Sequence, residues 1–326
     1  MSYYKASVVI PTKNPGKIFI EVINKVMDQK TDFEFEILVV DSGSKDGTLE
    51  YMKQFENLQN FRYIEIAPES FGHGKTRNFG AEQTSGEYIV FLTHDALPVN
   101  NQWLSEIVNI ADSNIKIAGV FGRHIAYPTE NEFVKRELEL HFSGFINSPI
   151  VSLDDPNRYE SDLGYKQYLH FFSDNNSLLR RSVWEKYPFP DVNFAEDQQW
   201  AKMIIENGFM KGYAHDAVVF HSHHYSLLER LRRSFDESLA FKNYFGYDLC
   251  IDKKTLWKNW KYLNERDCKY CLEESLWKHS LIDSLKQPFD NFMRLFGQYL
   301  GNHADVLNEY FQNLISRDKR LFKDNK

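Results

Sequence analysis

The sequence predicts an α/β fold, a mostly parallel central sheet flanked by helices with a C-terminal helical extension, on three observations. Short apolar runs with a β-branched bias recur from residue 6, among them "ASVVIPT", "FEILVVD" and "EYIVFL". Nearly continuous runs of that length suit strands covered on both faces. Segments with helical spacing separate them, such as "GKIFIEVINKVMDQ", which sets Ile18, Val22, Ile23 and Val26 on one face. After about residue 226 the alternation gives way to helices rich in aromatic and basic residues.

Taken in order, "ASVVIPT" is the first strand, "FEILVVDSGSKDGT" a second that ends in polar and glycine residues, "FRYIEIAP" a third and "EYIVFL" a fourth. The helices between them are "GKIFIEVINKVMDQ", "TLEYMKQF" and "GKTRNFGAEQT", and "WLSEIVNIA" follows the fourth strand. This order is that of a parallel sheet with helices on its faces. Further on, "KIAGVFGRHIAYP" reads as a strand, "NEFVKRELELHF" as a helix and "SPIVSLDDPNRYESDLGYKQY" as a long polar loop of the lid or binding type. "FFSDNNSLLRRSVWEKYPF" gives strand, turn and helix, and "FAEDQQWAKMIIENG" a helix with Trp200, Met203 and Ile204 inward. "KGYAHDAVVFHSHHYS" is the last strand. We divide the chain into a domain over 1–235 and a helical extension over 236–326 packed on it.

At 326 residues and 42% hydrophobic the chain can bury a large core. A net charge of -7 gives no global field that would attract nucleic acid. Any anionic ligand therefore needs a local cluster. The three cysteines are odd in number and argue against a disulfide scaffold. Cys268 and Cys271 have C-x-x-C spacing but sit in helical sequence, and we read them as helix residues, not as a zinc or redox pair. "MSYYKASVVIPTKN" lacks the pattern of a secretory leader and no apolar run is long enough to span a bilayer, so the expected location is the cytoplasm.

The polar clusters carry the functional argument. "PTKN", "DSGSKDGT", "ESFGHGKTRN" and "THDA" each follow the C-terminal end of a strand. In a parallel sheet those ends share one edge, so the clusters converge. Asp41 could accept hydrogen bonds from a nucleobase or ribose, or satisfy its own loop; Asp46 reads as a helix cap. Gly74, Lys75, Arg77 and Asn78 at a helix start suit a diphosphate. Asp95, at a strand end beside that site, suits a divalent cation such as Mg²⁺ or Mn²⁺, or else caps a turn. Glu196 and Asp197 project in different directions, so one can act as a general base while the other bonds the scaffold; simple first-turn acids are the plainer alternative. His221 and His223 share a strand face and could complete a metal site.

Together "VVIPTKN", "ILVVDSGSKDGT", "GKTRNFGA", "YIVFLTHDALP", "FAEDQQW" and "VVFHSHHYS" resemble glycosyltransferase family 2, the inverting nucleotide-sugar transferases of GT-A fold. "SFGHGKTRN", "FLTHDALP" and "HSHHYS" narrow the resemblance to its bacterial rhamnosyltransferases. The resemblance covers about residues 6–235. It implies that Asp41 contacts the nucleoside base with Pro11 and Thr12 beside it, and that Lys75 and Arg77 lie near the nucleotide and diphosphate. Gly74, Asn78 and His94 are read with the donor. Asp95 matches the last acid of the family's D-x-D element, and Asp197 the base of its E-D pair with Glu196 in support. The late histidines His221 and His223 assist at the metal. Asn175, Asn176 and Trp200 are read as acceptor or sugar contacts. The chain departs from the family pattern at Thr93, where the first acid of D-x-D is missing, so metal binding leans on His221, His223 or His94.

The implied reaction is an inverting transfer, with dTDP-β-L-rhamnose as donor and a lipid-linked or growing surface polysaccharide as acceptor. A UDP-hexose or UDP-N-acetylhexosamine donor keeps the same fold, and a catalytically silent nucleotide-sugar-binding subunit is the rival of another class. "LRRSF", "LWKNWKYL" and "FMRLF" could rest on the inner face of the plasma membrane; helix packing or a homodimer would use the same residues.

Overall fold

The computed structural model describes residues 4–192 and 194–317. It divides into two compact units, one formed by residues up to Tyr127 together with Leu138–His221, the other by Pro128–Glu137 with the chain from Ser222 onward. Residues 128–137 and 222–235, read from sequence with the first domain, thus belong to the second unit.

The first unit opens with β1 (Ala6–Thr12), α1 (Ile18–Met27), β2 (Phe35–Asp41), α2 (Thr48–Met52), β3 (Phe61–Glu65), α3 (His73–Glu82) and β4 (Tyr88–Leu92). It continues through β5 (Leu97–Pro98), α4 (Trp103–Asp112), β6 (Ile117–Ile125), the part of α5 (Glu132–Ser143) from Leu138 on, β7 (Ile150–Val151), α6 (Pro156–Ser161) and α7 (Leu163–His170), the first half of α5 belonging to the second unit. It closes with β8 (Asn176–Arg180), α8 (Arg181–Trp184), α9 (Glu196–Glu206) and β9 (Met210–Phe220). The strands form one sheet in the order β3-β2-β1-β4-β8-β6-β9-β5, with β7 also on β9.

β1 to β4 pair in parallel, as the alternation predicts, and β6 pairs in parallel with β9. β8 enters between these halves and runs against both neighbours. Its reversal decides where the site lies. Leu92, the last residue of β4, sits opposite Asn176, the first of β8. The start of β8, the ends of β6 and β9 and the ends of β1, β2 and β4 therefore share one edge.

Burial follows the pattern that made these segments strands. Every residue of β2 and β4 is buried, each large aliphatic contributing roughly 1.5–3 kcal/mol. α1 buries Phe19, Val22, Ile23 and Val26 against one sheet face, with Ile18 at the margin. A second cluster, including Phe91, Phe121, Phe172, Leu179 and Trp200, fills the other face.

The segment read as a long polar loop contains β7, α6 and α7 instead. Asp155 accepts from the Arg158 N–H at 2.9 Å and Asp162 from the Tyr165 N–H at 3.0 Å, so each acid caps a helix. At the far end of α7 the buried Lys211 ammonium donates to the carbonyls of Tyr168, Leu169 and Phe171 at 2.8, 2.8 and 2.6 Å. Burial pulls its pKa well down, and the three oxygens and the helix C-terminus oppose that pull.

The second unit adds α10 (Leu227–Phe245), α11 (Lys253–Glu273), α12 (Leu281–Asn302) and α13 (Glu309–Ile315). α10 begins with a reciprocal cap between Ser226 and Glu229 and ends at Gly246 in the left-handed region. Cys268 is exposed on α11, and the Cys271 thiol faces the Ser284 hydroxyl at 3.4 Å.

α10 and α12 approach backbone to backbone along Gly297 and Gly301. A Cβ at Gly301 would lie 2.4 Å from the Phe235 carbonyl and 2.8 Å from the Ser238 Cβ. No rotamer relieves a clash with backbone. Gly301→Leu is expected to destabilise the protein by about 3 kcal/mol or more, read as a lowered urea midpoint; an unchanged midpoint would show that the two helices do not need this approach.

Candidate active site

The loops after β1 and β2 are laced together. Thr12 faces Asp41 across the ladder, and the Thr12 carbonyl accepts from the Ser42 N–H and hydroxyl at 2.9 and 3.1 Å. Asp41 is fully buried, and its carboxylate accepts from the N–H groups of Gly43 and Ser44 at 2.9 and 2.7 Å and from the Ser44 hydroxyl at 2.5 Å. Its charge orders its own loop. Asp46, read as a cap, lies one residue before the N-cap Gly47; it accepts from the Thr48 N–H and hydroxyl at 3.2 and 2.6 Å and from the Gly16 N–H at 2.8 Å. Pro11 is half-buried beside Thr12.

At the start of α3 the predicted diphosphate cluster separates into different roles. Lys75 is exposed. A Cβ at Gly74 would fall 2.5 Å from the Pro190 carbonyl and 3.2 Å from the Phe189 Cβ, so this glycine serves close packing. Asn78 donates to the Phe189 carbonyl at 2.9 Å and accepts from Trp184 Nε1 and the Phe189 N–H at 2.9 and 3.1 Å. Its amide is engaged in the scaffold.

Arg77 is buried as well. Its Nη1 donates to Glu196 Oε1 at 3.0 Å and its Nε lies 3.4 Å from Asp174 Oδ2. Enclosed by two acids, the guanidinium is a structural counter-charge and does not reach out to a diphosphate. The correction follows from burial, since an unpaired acid at either place would be costly.

Asp197 follows Glu196 on the first turn of α9, after Ala195 in the left-handed region at φ 58. Its Oδ1 accepts from the Gln198 N–H at 2.7 Å and its Oδ2 from the Asp174 N–H at 3.3 Å. Two of the three carboxyl groups thus pair with the guanidinium, and the third feels its charge. Burial, reinforced by the Glu196 charge, lifts the Asp197 pKa to about 7 against the pull of Arg77 and two backbone N–H groups. Burial also holds Asp174 well above the ordinary carboxylate range, with the charges of Asp197 and Glu196 adding to it. Asp197 is a half-buried acid poised near neutral pH, the property of a general base.

Asp95 lies beyond the end of β4 and its Oδ1 is 3.7 Å from His221 Nε2, at the end of β9. The Tyr127 hydroxyl donates to the Asp95 carbonyl at 2.9 Å and fixes the turn. The His221 backbone N–H donates to the Ile125 carbonyl at 2.9 Å, and its ring meets that of His124 edge to face at 5.3 Å. His223 follows two residues later, in the second unit. His94 is half-buried beside Asp95 in the chain, and the Asn175 carbonyl accepts from the Thr93 N–H at 3.2 Å. Asn176 and Trp200 are fully buried. The Asn176 amide joins Trp103 Nε1 to the Ala217 carbonyl, each at 2.8 Å, and Trp200 Nε1 donates to the Tyr187 carbonyl at 2.7 Å. Both are framework, and neither is placed to touch a sugar.

The profile of Glycosyl transferase family 2 matches residues 7–187, more than half of the chain. The chain belongs to that family. It is 32% identical over 235 residues to the O-antigen chain rhamnosyltransferase RfbN of Salmonella typhimurium, covering 71% of each. It is 29% identical over 233 residues to the O-antigen chain rhamnosyltransferase WbaN of Salmonella anatum, covering 71% of this chain and 70% of the relative. The fold is similar to that of the mannosyltransferase PcManGT of Pyrobaculum calidifontis, solved with GDP-Man and Mn²⁺, at a TM-score of 0.62 and 16% identity over 93% of this chain and 87% of that one.

As a family 2 glycosyltransferase of GT-A fold, the protein gathers Asp41, Asp95, Asp197 and His221 on one sheet edge. Asp174, Tyr127 and His124 join that edge without having been singled out in the sequence. Asp174 stands in the quoted "SDNN" immediately before β8; only the direction of β8 brings it to Asp197.

Proposed function

We propose that this glycosyltransferase moves L-rhamnose from dTDP-β-L-rhamnose, with inversion, onto a hydroxyl of a lipid-linked or growing surface polysaccharide at the cytoplasmic face of the membrane. Asp197 carries the reading: a carboxylate of near-neutral pKa, fixed by two N–H donors, beside a buried Arg77 and Glu196 pair. It takes the proton of the acceptor hydroxyl as that oxygen attacks the anomeric carbon and the bond to the donor diphosphate breaks. Lys75, exposed at the start of α3, meets the departing phosphate charge, and the ordered loops at Thr12 and Asp41 receive the nucleoside. Likeness to RfbN and WbaN supports the choice of rhamnose and of an O-antigen chain as acceptor.

The carboxylate of Asp95 and the imidazole of His221, 3.7 Å apart, fit a divalent cation, with His223 a further nitrogen ligand two residues along the chain. One acid with imidazoles suits Mn²⁺ at least as well as Mg²⁺. Such an ion, when bound, neutralises diphosphate charge.

The test is thermal stabilisation of the protein by dTDP-rhamnose, UDP-glucose, UDP-N-acetylglucosamine and GDP-mannose, with and without Mn²⁺. The expected shift is specific to dTDP-rhamnose, is enlarged by Mn²⁺, and loses the metal-dependent part in Asp95→Asn; donor at a hundred times its Kd gives about 2.7 kcal/mol. A shift with a UDP-sugar instead overturns the donor, and no shift with any sugar nucleotide favours a silent subunit.

Membrane contact belongs to the same proposal. In the second unit Ile282, Leu285 and Phe289 are 68%, 65% and 63% exposed on α12, with Trp277 and Leu281 exposed before them. Residues 253–286 carry eight Lys and Arg against five Asp and Glu in a chain of net charge -7. An apolar helix face beside local positive charge fits an anionic bilayer surface. Among the described residues no helix is long and apolar enough to cross a membrane. The protein is expected to float with anionic vesicles and not with zwitterionic ones, and Leu285→Asp with Phe289→Asp to abolish flotation; concentration-dependent dimerisation lost in the same variant would assign the face to a second copy.

A further inference from the structure

The second unit contains a cavity of about 420 Å³, within the range of small-molecule sites. Its walls come from the start of α5, the entry to α10 and one side of α12. Two of these segments continue directly from the candidate active site in the chain, since Asn131 follows Tyr127 by four residues and His224 follows His221 by three.

Most of the charged groups of the wall are engaged. Arg230 Nε donates to Asp290 Oδ1 at 3.0 Å, and both Nη atoms of Arg294 donate to the two oxygens of Glu137. Glu229 accepts from the Ser226 N–H at 2.9 Å, and His224 Nδ1 lies 3.2 Å from Glu130 Oε1. Asp283 and Lys286 add one charge of each sign to the lining. The result is a nearly balanced wall of fixed donors and acceptors.

That balance selects the ligand. A polyanion would meet Glu137, Glu229, Asp283 and Asp290, and an acyl chain would strip water from ion pairs without replacing their hydrogen bonds. A neutral, hydroxyl-rich molecule does neither, because each hydroxyl donates to a carboxylate and accepts from a guanidinium. Phe133, Val134 and Leu227 give the same cavity an apolar side, suited to the C–H face and methyl group of a 6-deoxyhexose. Resting on the function proposed above, we propose that the second unit holds the acceptor chain through a saccharide site of its own, separate from the donor site.

The experiment uses the full chain and the methyl glycoside of a rhamnose disaccharide as probe, with binding followed by saturation-transfer NMR and calorimetry. Asp283→Ala and Lys286→Ala are each expected to weaken binding about tenfold, the loss of one good hydrogen bond to a charged group. Val134→Trp fills the cavity and should remove binding. In all three the thermal shift given by donor nucleotide should be unchanged. No binding to the wild-type protein, full affinity in the three variants, or displacement of the disaccharide by dTDP or pyrophosphate would overturn the proposal. Disaccharide binding that Lys286→Ala weakens, in a protein that no sugar nucleotide stabilises, supports the cavity while removing the donor assignment, so the two readings fail separately.

Discussion

Asp197→Asn is expected to abolish sugar transfer, by at least the 10²–10⁴-fold that a positioned base contributes, and at the same time to raise the melting temperature at neutral pH. The second half follows from linkage. The carboxyl has a pKa of about 7 in the folded protein against 3.8 ordinarily. Between about pH 4 and 7 the unfolded chain has released this proton while the native state keeps it, so stability falls as pH rises through that window. Above pH 7 the native state carries the ionised acid at its full cost. Asparagine avoids it, so the stabilisation should be absent near pH 4 and reach a few degrees by pH 8. Wild-type kcat/KM should rise with pH on an apparent pKa near 7. Melting curves across pH, with donor added, test all of this; loss of donor stabilisation in parallel with activity would make Asp197 a binding residue, not the base.

Arg77→Met should cost about 3–5 kcal/mol, because it leaves Glu196 and Asp174 buried without their counter-charge. The deficit should shrink as pH falls, since burial already favours the protonated form of Asp174 and protonation removes the need for its counter-charge. Arg77→Lys keeps the charge but has no planar fork to span two carboxylates, and should recover only part of the loss. Denaturant midpoints at pH 5 and 8 separate this role from phosphate binding. If Arg77 instead met the donor diphosphate, Arg77→Lys would raise the KM for donor and leave the midpoint alone.

That role was not legible in the sequence, because Glu196 lies 119 residues from Arg77 and a basic residue at a helix start reads equally well as an anion site. The sheet itself was legible. Buried strands announce themselves as apolar runs, and polar clusters after them mark the edge where Asp95 and Asp197 lie. The direction of β8 was not, since orientation is set by pairing partners and not by composition; Asp174 was overlooked for that reason. Asp155 and Asp162 carried cap signals within a segment read as loop, masked by the weak apolar stripe of the short helices they begin. Asn176 and Trp200 are framework and not sugar contacts, a distinction outside the reach of residue type, which cannot tell a buried amide or indole from one lining a cleft.

The seam between β4 and β8 is also a line of exchange. In the function proposed here the loops that would receive the nucleoside hang from strands on one side of it, and Asp197, its acid neighbours and His221 belong to segments that enter the chain after it, with Arg77 of α3 the tie between the two. On that reading, selection for a different sugar nucleotide could remodel the early loops and leave proton transfer intact so long as Arg77 is kept, and a new acceptor could be accommodated by changes in the later part of the chain. A lineage built on this sheet can change what it takes and what it decorates in separate steps.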